Sequence, residues 1–239
     1  PSPTWISHPA GWLEAPILLY HHIGIPKSPS QYYVSPAMFR IQMESLRDWG
    51  YTPISMTHFV EILLNGGLLP ARPVVITFDD GYRDVYENAF PVMQELGFTG
   101  VLYLISKYIS AGGFMDVSQV REMIAAGWEI GNHSATHRDL TQGYSARLVQ
   151  EEVIQSRLDL EELFGVTVNT FSYPYGSSSV ALKQQLKDLG YLAAVGVGIT
   201  KRHSAEAVYF LGRSEVRGYF TLAHFAALLP WAEEMQENP

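Results

Sequence analysis

The sequence predicts an α/β fold, a distorted (β/α)7-type barrel that forms a single domain over residues 1–239. Strand and helix patterns alternate along the chain, which is typical of parallel strands joined by outer helices. About seven such units occur without a glycine-rich dinucleotide fingerprint, which favours a barrel over an open doubly wound sheet. Polar residues follow directly after several predicted strands, where the active sites of barrels lie.

The first half of the chain alternates apolar β-type runs with segments of helical spacing. Ser35 followed by Pro36 predicts the start of the first helix, and Gly50 predicts its end. Gly97 likewise ends the helix that follows the third strand. The predicted strands are 16–20, 51–54, 73–78 and 99–105, and the predicted helices are 36–49, 57–65 and 83–96.

The second half continues the alternation. Ser145 predicts the start of a long helix, in which apolar residues such as Val149, Val153 and Leu160 form one stripe. Short β-type runs separate this helix from its neighbours. The predicted strands are 128–131, 168–173 and 191–197, and the predicted helices are 117–126, 145–164, 178–189 and 222–235.

Composition excludes several classes of function. A net charge of -8 disfavours nucleic acid or an anionic membrane as the main partner, because both are bound by basic surfaces. The absence of cysteine excludes thiolate metal sites, disulfides and cysteine nucleophiles. No run reaches the roughly 20 apolar residues of a membrane-spanning helix. The first residues show no signal-peptide pattern, so we expect any signal segment to be absent from this chain.

The most informative stretch is residues 77–81, Thr-Phe-Asp-Asp-Gly. It ends the apolar run 73–78, so the adjacent carboxylates of Asp79 and Asp80 follow a buried strand. Two carboxylates in such a place are costly unless a cation lies beside them. A divalent metal ion would be such a cation, and Gly81 allows a sharp turn after the strand.

Two histidines offer partners for this metal. His133 and His137 are four residues apart, so on a helical turn both rings would point the same way. Two imidazoles and one carboxylate form a divalent metal site with open positions, although such a pair can also be two solvated or capping histidines. Ser134 replaces the glutamate of an HExxH site, so the proton acceptor must come from elsewhere. The aspartate that does not bind the metal is the candidate.

Three segments resemble the motifs of the polysaccharide deacetylases, also called the NodB-homology or carbohydrate esterase 4 family. They are Thr-Phe-Asp-Asp-Gly at 77–81, His-Ser-Ala-Thr-His at 133–137 and Ser-Tyr-Pro-Tyr-Gly at 172–176. The resemblance implies that Asp79 is the general base and that the backbone N–H of Tyr175 contributes to an oxyanion hole. It further implies a metal site formed by Asp80, His133 and His137.

The chain departs from the family pattern in two places. The family arginine that orients the catalytic aspartate is replaced by Ser172, and Arg213 is the candidate substitute because Asp79 still needs a cationic partner. The alternative is that Arg213 is an ordinary surface residue. The C-terminal Leu-x-His motif, which supplies the general acid, is also missing. Ser134 and Pro174, together with Arg213, are the predicted supporting or substrate-binding residues.

The segment 18–23, Leu-Leu-Tyr-His-His-Ile, resembles the first strand of one subgroup, the poly-β-1,6-N-acetylglucosamine deacetylases of biofilm exopolysaccharide systems. In that subgroup the acid histidine lies in this strand, so the resemblance assigns His21 as the general acid. The neighbouring His22 is expected to point to the opposite face of the strand. Loop aromatic residues such as Tyr32 and Tyr33 could stack on sugars or cover the core.

The resemblance implies metal-dependent N-deacetylation of an N-acetylglucosamine exopolysaccharide with release of acetate. Zinc fits a His/His/Asp site best, and cobalt, nickel or iron(II) would also fit. We expect a secreted or cell-envelope protein on the extracellular side, monomeric, with no nucleic-acid partner and with peripheral association with the cell surface left open. The alternatives are a deacetylase of peptidoglycan or chitin oligomers, a catalytically weak carbohydrate-binding member of the fold, and a non-haem iron oxygenase.

Overall fold

The computed structural model describes residues 3–141 and 145–231 of the chain. Within these residues the strands are β1 Trp5–His8, β2 Trp12–Glu14, β3 Ile17–Tyr20, β4 His22–Ile23, β5 Tyr33–Val34, β6 Thr52–Pro53, β7 Gly67–Pro70, β8 Pro73–Asp80, β9 Val101–Leu104, β10 Glu129–Asn132, β11 Thr170–Ser172, β12 Ala193–Val197, β13 Arg202–Ser204 and β14 Leu211–Glu215.

The helices alternate with these strands in the predicted order. They are α1 Pro36–Asp48, α2 Met56–Asn65, α3 Phe90–Glu95, α4 Val117–Ala125, α5 Ala146–Val149, α6 Ser156–Phe164, α7 Val180–Asp188 and α8 Leu222–Ala226. A π-helical segment, Val85–Ala89, precedes α3, and another, Gln150–Gln155, joins α5 to α6. The predicted caps are present, since Ser35 Oγ accepts from Met38 N and Ser145 Oγ accepts from Leu148 N.

Seven parallel strands form a barrel in the order β3-β14-β12-β11-β10-β9-β8, and the pairing of β8 with β3 closes the ring. The pairs Tyr20↔Phe78 and Asp80↔Leu104 set the register beside the carboxyl end of β8. The predicted (β/α)7-type barrel is thus confirmed. Two antiparallel ribbons, β1 with β7 and β2 with β13, lie outside the ring.

The barrel strands are buried on both faces. Alternate residues of β3 and β8 separate into two apolar clusters, with Ile17 and Val75 in one and Leu18 and Ile76 in the other. The period-two geometry of a strand explains this division, because the first cluster fills the barrel and the second packs under the helices. No helix within the described residues is long and apolar enough to span a membrane.

Two predicted elements need correction, and one element was missed. The run 51–54 forms only the short β6, which pairs with β8 outside the closed ring. The last helix, predicted over 222–235, ends at Ala226 and gives way to turns through residue 231, while 232–239 lie outside the described residues. The ring strand β14 was not predicted, because its sequence Leu-Gly-Arg-Ser-Glu lacks an apolar run.

Candidate active site

A cavity of about 490 Å³ opens at the carboxyl ends of the barrel strands. Six of the seven ring strands, all except β9, deliver residues at or just after their carboxyl ends to it, as expected for a parallel barrel. Its lining includes the predicted residues His21, Asp79, Asp80, His133, His137 and Tyr175. The structure therefore brings together in one cavity residues that lie up to about 150 positions apart in the chain.

Asp79, at the carboxyl end of β8, forms a two-pronged ion pair with Arg213 of β14. Arg213 Nη1 donates to Asp79 Oδ1 and Nη2 donates to Oδ2, each at 2.6 Å. Ser172 Oγ, from β11, donates to Asp79 Oδ2 at 3.0 Å and accepts from Arg213 Nη2 at 2.8 Å. Arg213 is 1% exposed, so the alternative of a surface arginine is wrong. Ser172 and Arg213 together occupy the place beside Asp79 that the family arginine was expected to fill.

This pairing keeps Asp79 ionised. Burial alone would raise the pKa of Asp79, but the charges of Arg213 and His133 and the hydrogen bonds from Arg213 lower it well below its ordinary value. Arg213 is itself held by Thr77 Oγ1 at 3.1 Å and by the carbonyl oxygen of Gly196 at 3.1 Å. Asp79 is thus a buried, oriented and unprotonated carboxylate at neutral pH.

Asp80, His133 and His137 form a candidate metal site. Their ligand atoms all lie within 4.8 Å of one another. Asp80 Oδ1 is 3.4 Å from His133 Nε2 and 3.5 Å from His137 Nε2, and within the described residues it has no hydrogen-bond partner. A buried carboxylate oxygen without a partner is costly, and a cation between the three groups would remove that cost.

The hydrogen bonds around His133 suit a metal ligand. His133 Nδ1 lies 2.9 Å from the carbonyl oxygen of Ser172, so Nδ1 carries the hydrogen and the lone pair of Nε2 is left for a cation between His133 and Asp80. Burial lowers the pKa of His133, but the charges of Asp79 and Asp80 raise it above its ordinary value overall. Burial and the charge of His133 lower the pKa of His137. The three residues therefore fit a divalent ion of the zinc class, held by two nitrogens and one oxygen.

The segment from His133 to His137 is a loop, so the predicted helical turn is wrong. The rings converge because Ser134 and His137 have left-handed backbone, with φ of 67° and 60°. Ser134 Oγ accepts from His137 N at 2.9 Å and closes the loop on itself. Asp80 and Tyr175 also have positive φ, 73° and 59°. Such backbone costs about 1–3 kcal/mol per residue and clusters at functional sites.

Glu152, which the sequence did not single out, anchors this loop. Its carboxylate is 3% exposed and lies in the π-helical segment between α5 and α6. Oε2 accepts from Ala135 N at 3.1 Å and from Thr136 N at 2.8 Å, and Oε1 accepts from Thr136 Oγ1. Two of the three residues between the histidine ligands, Ala135 and Thr136, are thus fixed by one buried carboxylate. No motif marked Glu152, because its partners come from a different element.

His21 lies at the cavity wall, between β3 and β4, with its ring 5.0 Å from that of Tyr32. Burial lowers its pKa, and the charges of Asp79, Asp80 and Glu215 oppose this change. The expectation that His22 points away from the site is wrong, since it lines the same cavity. The strand breaks at His21, so the period-two alternation does not continue to His22.

The third motif places Tyr175 at the cavity rim. Pro174 is buried, whereas Tyr175 is 68% exposed and its ring lies 4.5 Å from that of His137. The left-handed conformation of Tyr175 turns the chain three residues after β11 ends. Tyr32 and Tyr33 line the cavity. The loop aromatics Tyr108 and Phe114 pack against each other with ring centroids 4.9 Å apart and are not part of the lining, although Phe114 stacks on the lining residue Tyr82.

The fold and the site together define a class: a closed parallel barrel with a candidate two-histidine, one-carboxylate metal site beside a separate ionised carboxylate. The family model described as Polysaccharide deacetylase matches residues 67–194, more than half of the chain. The chain therefore belongs to the polysaccharide deacetylase family, as its motifs predicted.

Individual relatives agree with this assignment. The chain is 27% identical over 216 residues to YxkH of Bacillus subtilis, described as a polysaccharide deacetylase, covering 90% of this chain and 76% of that protein. It is 24% identical over 163 residues to a poly-β-1,6-N-acetyl-D-glucosamine N-deacetylase of Staphylococcus aureus, covering 63% of this chain and 56% of that one. A crystal structure of a Bacillus cereus polysaccharide deacetylase superposes with a TM-score of 0.80 at 27% identity, covering 92% of this chain and 70% of that one.

Proposed function

We propose that this protein is a metal-dependent N-deacetylase of an N-acetylglucosamine polymer, with poly-β-1,6-N-acetylglucosamine as the preferred class. The observation that supports this proposal best is that the adjacent aspartates Asp79 and Asp80 have different partners. Arg213 holds Asp79, and Asp80 faces His133 and His137. One carboxylate is therefore free to take a proton while the other belongs to the metal site. The Staphylococcus aureus relative supports the choice of polymer.

Each residue of the site has a role in this reaction. Asp79 takes a proton from the water that attacks the acetamide carbon. The backbone N–H of Tyr175 donates to the oxyanion that forms, and His21 gives a proton to the departing amine. A zinc-class ion bound by Asp80, His133 and His137 would supply Lewis-acid polarisation and a lowered pKa of water. The products are acetate and an amino sugar, which becomes cationic at neutral pH.

The proposed cellular location follows from the proposed substrate. Exopolysaccharide is a polymer outside the cytoplasm, so we propose a secreted or envelope-associated location. The acidic chain, with a net charge of -8, would tolerate a cationic product near the cavity. Aromatic rings such as Tyr32, whose exposed fraction is 44%, stand at the cavity and offer faces for a sugar.

The experiment compares acetate release from β-1,6-linked and β-1,4-linked N-acetylglucosamine oligomers with zinc present. The proposal expects turnover of both, or of the β-1,6 series alone, with a higher kcat/KM on the β-1,6 series. Preference for the β-1,4 series would assign the activity to chitin-like or peptidoglycan-like chains. Absence of acetate release from either series by a zinc-loaded, folded protein would contradict the proposed activity.

A further inference from the structure

A second hollow adjoins the active-site cavity. Its volume is about 640 Å³, and it lies between the loop that follows β4 and the loop that follows β14. Ser30, Gln31 and Tyr33 line both spaces. Because they share these lining residues, the two hollows are adjacent, and together we call them the groove. A polymer with one unit at Asp79 could extend into the adjoining hollow.

The two loops are clamped together where the hollows meet. Gly218 N donates to the carbonyl oxygen of Gln31 at 2.9 Å. A Cβ at Gly218 would overlap the carbonyl oxygen of Tyr33, so only glycine allows this approach. His22 N donates to the carbonyl oxygen of Tyr32 at 3.1 Å and ties the first loop back to β4. The floor of the groove is therefore built by close backbone contact between distant segments.

Three hydrogen-bonded side chains connect one hollow with the other. Arg217 Nε donates to Glu215 Oε2 at 2.9 Å, and Arg217 Nη1 donates to the hydroxyl of Tyr219 at 3.1 Å. Glu215 and Arg217 line the active-site cavity, and Tyr219 lines the second hollow. Arg217 thus fixes the position of the Tyr219 ring relative to the reaction site, before any ligand is present.

The lining of the second hollow has the chemistry of a sugar site. Tyr219 is 61% exposed and Ile25 is 75% exposed, so both present uncovered apolar surface at its edge. Ser30, Gln31 and Ser35 supply hydroxyl and amide groups beside them. An aromatic face for the C–H surface of a pyranose and short polar groups for its hydroxyls are what a carbohydrate needs.

We propose that this second hollow is a subsite for a further sugar unit of the same N-acetylglucosamine chain, with Tyr219 as its stacking platform. The subsite makes the enzyme select polymers over single sugars, because Asp79 and Tyr219 line different hollows and a single sugar at Asp79 leaves the second one empty. This inference rests on the proposed function for the identity of the sugar. It adds a binding role to Tyr219 and Ile25, which stand outside the reacting groups.

The experiment measures kcat/KM for β-1,6-linked N-acetylglucosamine oligomers of one to five units. In wild type we expect kcat/KM to rise with length. Tyr219→Ala should lower it about tenfold for the pentamer and leave the monomer unchanged, since one aromatic contact contributes up to about that factor. Tyr219→Phe keeps the ring but loses the hydroxyl that Arg217 holds, so its loss for the pentamer should be smaller than that of Tyr219→Ala. Trp5→Ala removes an exposed aromatic that lines neither hollow and should change nothing.

A loss in Tyr219→Ala that is equal at every length, or a wild type without length preference, would overturn the subsite. A binding measurement separates this outcome from failure of the proposed activity. Pentamer affinity is measured by calorimetry in Asp79→Asn and in Asp79→Asn combined with Tyr219→Ala. The subsite predicts an affinity about tenfold weaker in the double variant. Equal pentamer affinity in the single and double variants would refute the subsite, even if the protein released no acetate.

Discussion

Replacing Arg213 by methionine removes the only cation that contacts both oxygens of Asp79 within the described residues. Arg213 is 1% exposed and Asp79 is 2% exposed, so water cannot take over the role of the guanidinium. Breaking a buried ion pair by removing one partner costs about 3–5 kcal/mol. We therefore expect the free energy of unfolding at pH 7 to fall by about that amount in Arg213→Met.

The same change moves the pH dependence of activity. The pKa of Asp79 lies below its ordinary value of 3.8 in the wild type, so Asp79 contributes stability that is present above that pH and lost as the pH falls through the lowered pKa. Without Arg213, burial dominates and the pKa rises. The stability difference between wild type and Arg213→Met should then be largest near neutral pH and shrink in acid. The acid limb of kcat/KM should move to higher pH, because Asp79 must be ionised to accept a proton.

Urea denaturation between pH 3 and 8 and a pH profile of acetate release measure both effects. Arg40→Met is the matched control, since Arg40 forms exposed ion pairs with Glu44 and Glu95 and should change neither quantity appreciably. Arg213→Lys keeps the charge but loses the two-pronged geometry, so its results should lie between wild type and Arg213→Met. Stability within about 0.5 kcal/mol of wild type, together with an unshifted acid limb, in Arg213→Met would refute the assigned partnership.

Two further predictions concern other buried groups. Glu152→Ala should weaken zinc binding about 10- to 100-fold in a chelator competition assay, because Glu152 fixes the loop between His133 and His137; an unchanged zinc affinity would show that the loop holds its shape alone. Burial lowers the pKa of His203 from 6.5 to about 4. Below pH 6.5 the unfolded chain therefore binds a proton at His203 that the folded protein does not yet bind. The free energy of unfolding should fall by about 3 kcal/mol as the pH drops from 6.5 towards 4. In His203→Phe this part of the acid destabilisation should vanish from urea titrations, and a wild-type pH slope in that variant would exclude His203 as its source.

The parts of the fold that the sequence predicted are those with strong local signals. The run 73–78 has six residues suited to a buried strand, and β8 indeed forms there and extends through Asp80. Ser35 and Ser145 are local caps whose partners lie three residues ahead, so they too could be found from the sequence. By contrast, β14 is a strand only because β12 and β3 flank it, which no local pattern shows.

The same distinction applies to the site. Asp79, Asp80, His133 and His137 stand in contiguous motifs, and the structure brings them into one cavity. The contacts of Glu152 depend on the meeting of separate elements, and so does the geometry by which Arg213 reaches Asp79 across 134 positions of the chain. The four left-handed residues of the site also escaped prediction, because none of them is glycine. Tertiary contacts stabilise these conformations, and the local sequence does not reveal such contacts.

We claim that Asp79 takes the proton in the proposed reaction while Asp80, His133 and His137 hold the metal. The most direct measurement of this claim is acetate release from the β-1,6-linked pentamer by wild type and Asp79→Asn, with bound zinc quantified in each protein. We expect one zinc per chain in both, no release from chelator-stripped wild type, recovery on adding zinc, and turnover about 10²- to 10⁴-fold lower in zinc-loaded Asp79→Asn. Near-normal turnover of zinc-loaded Asp79→Asn, or full activity of the stripped wild type, would contradict the claim.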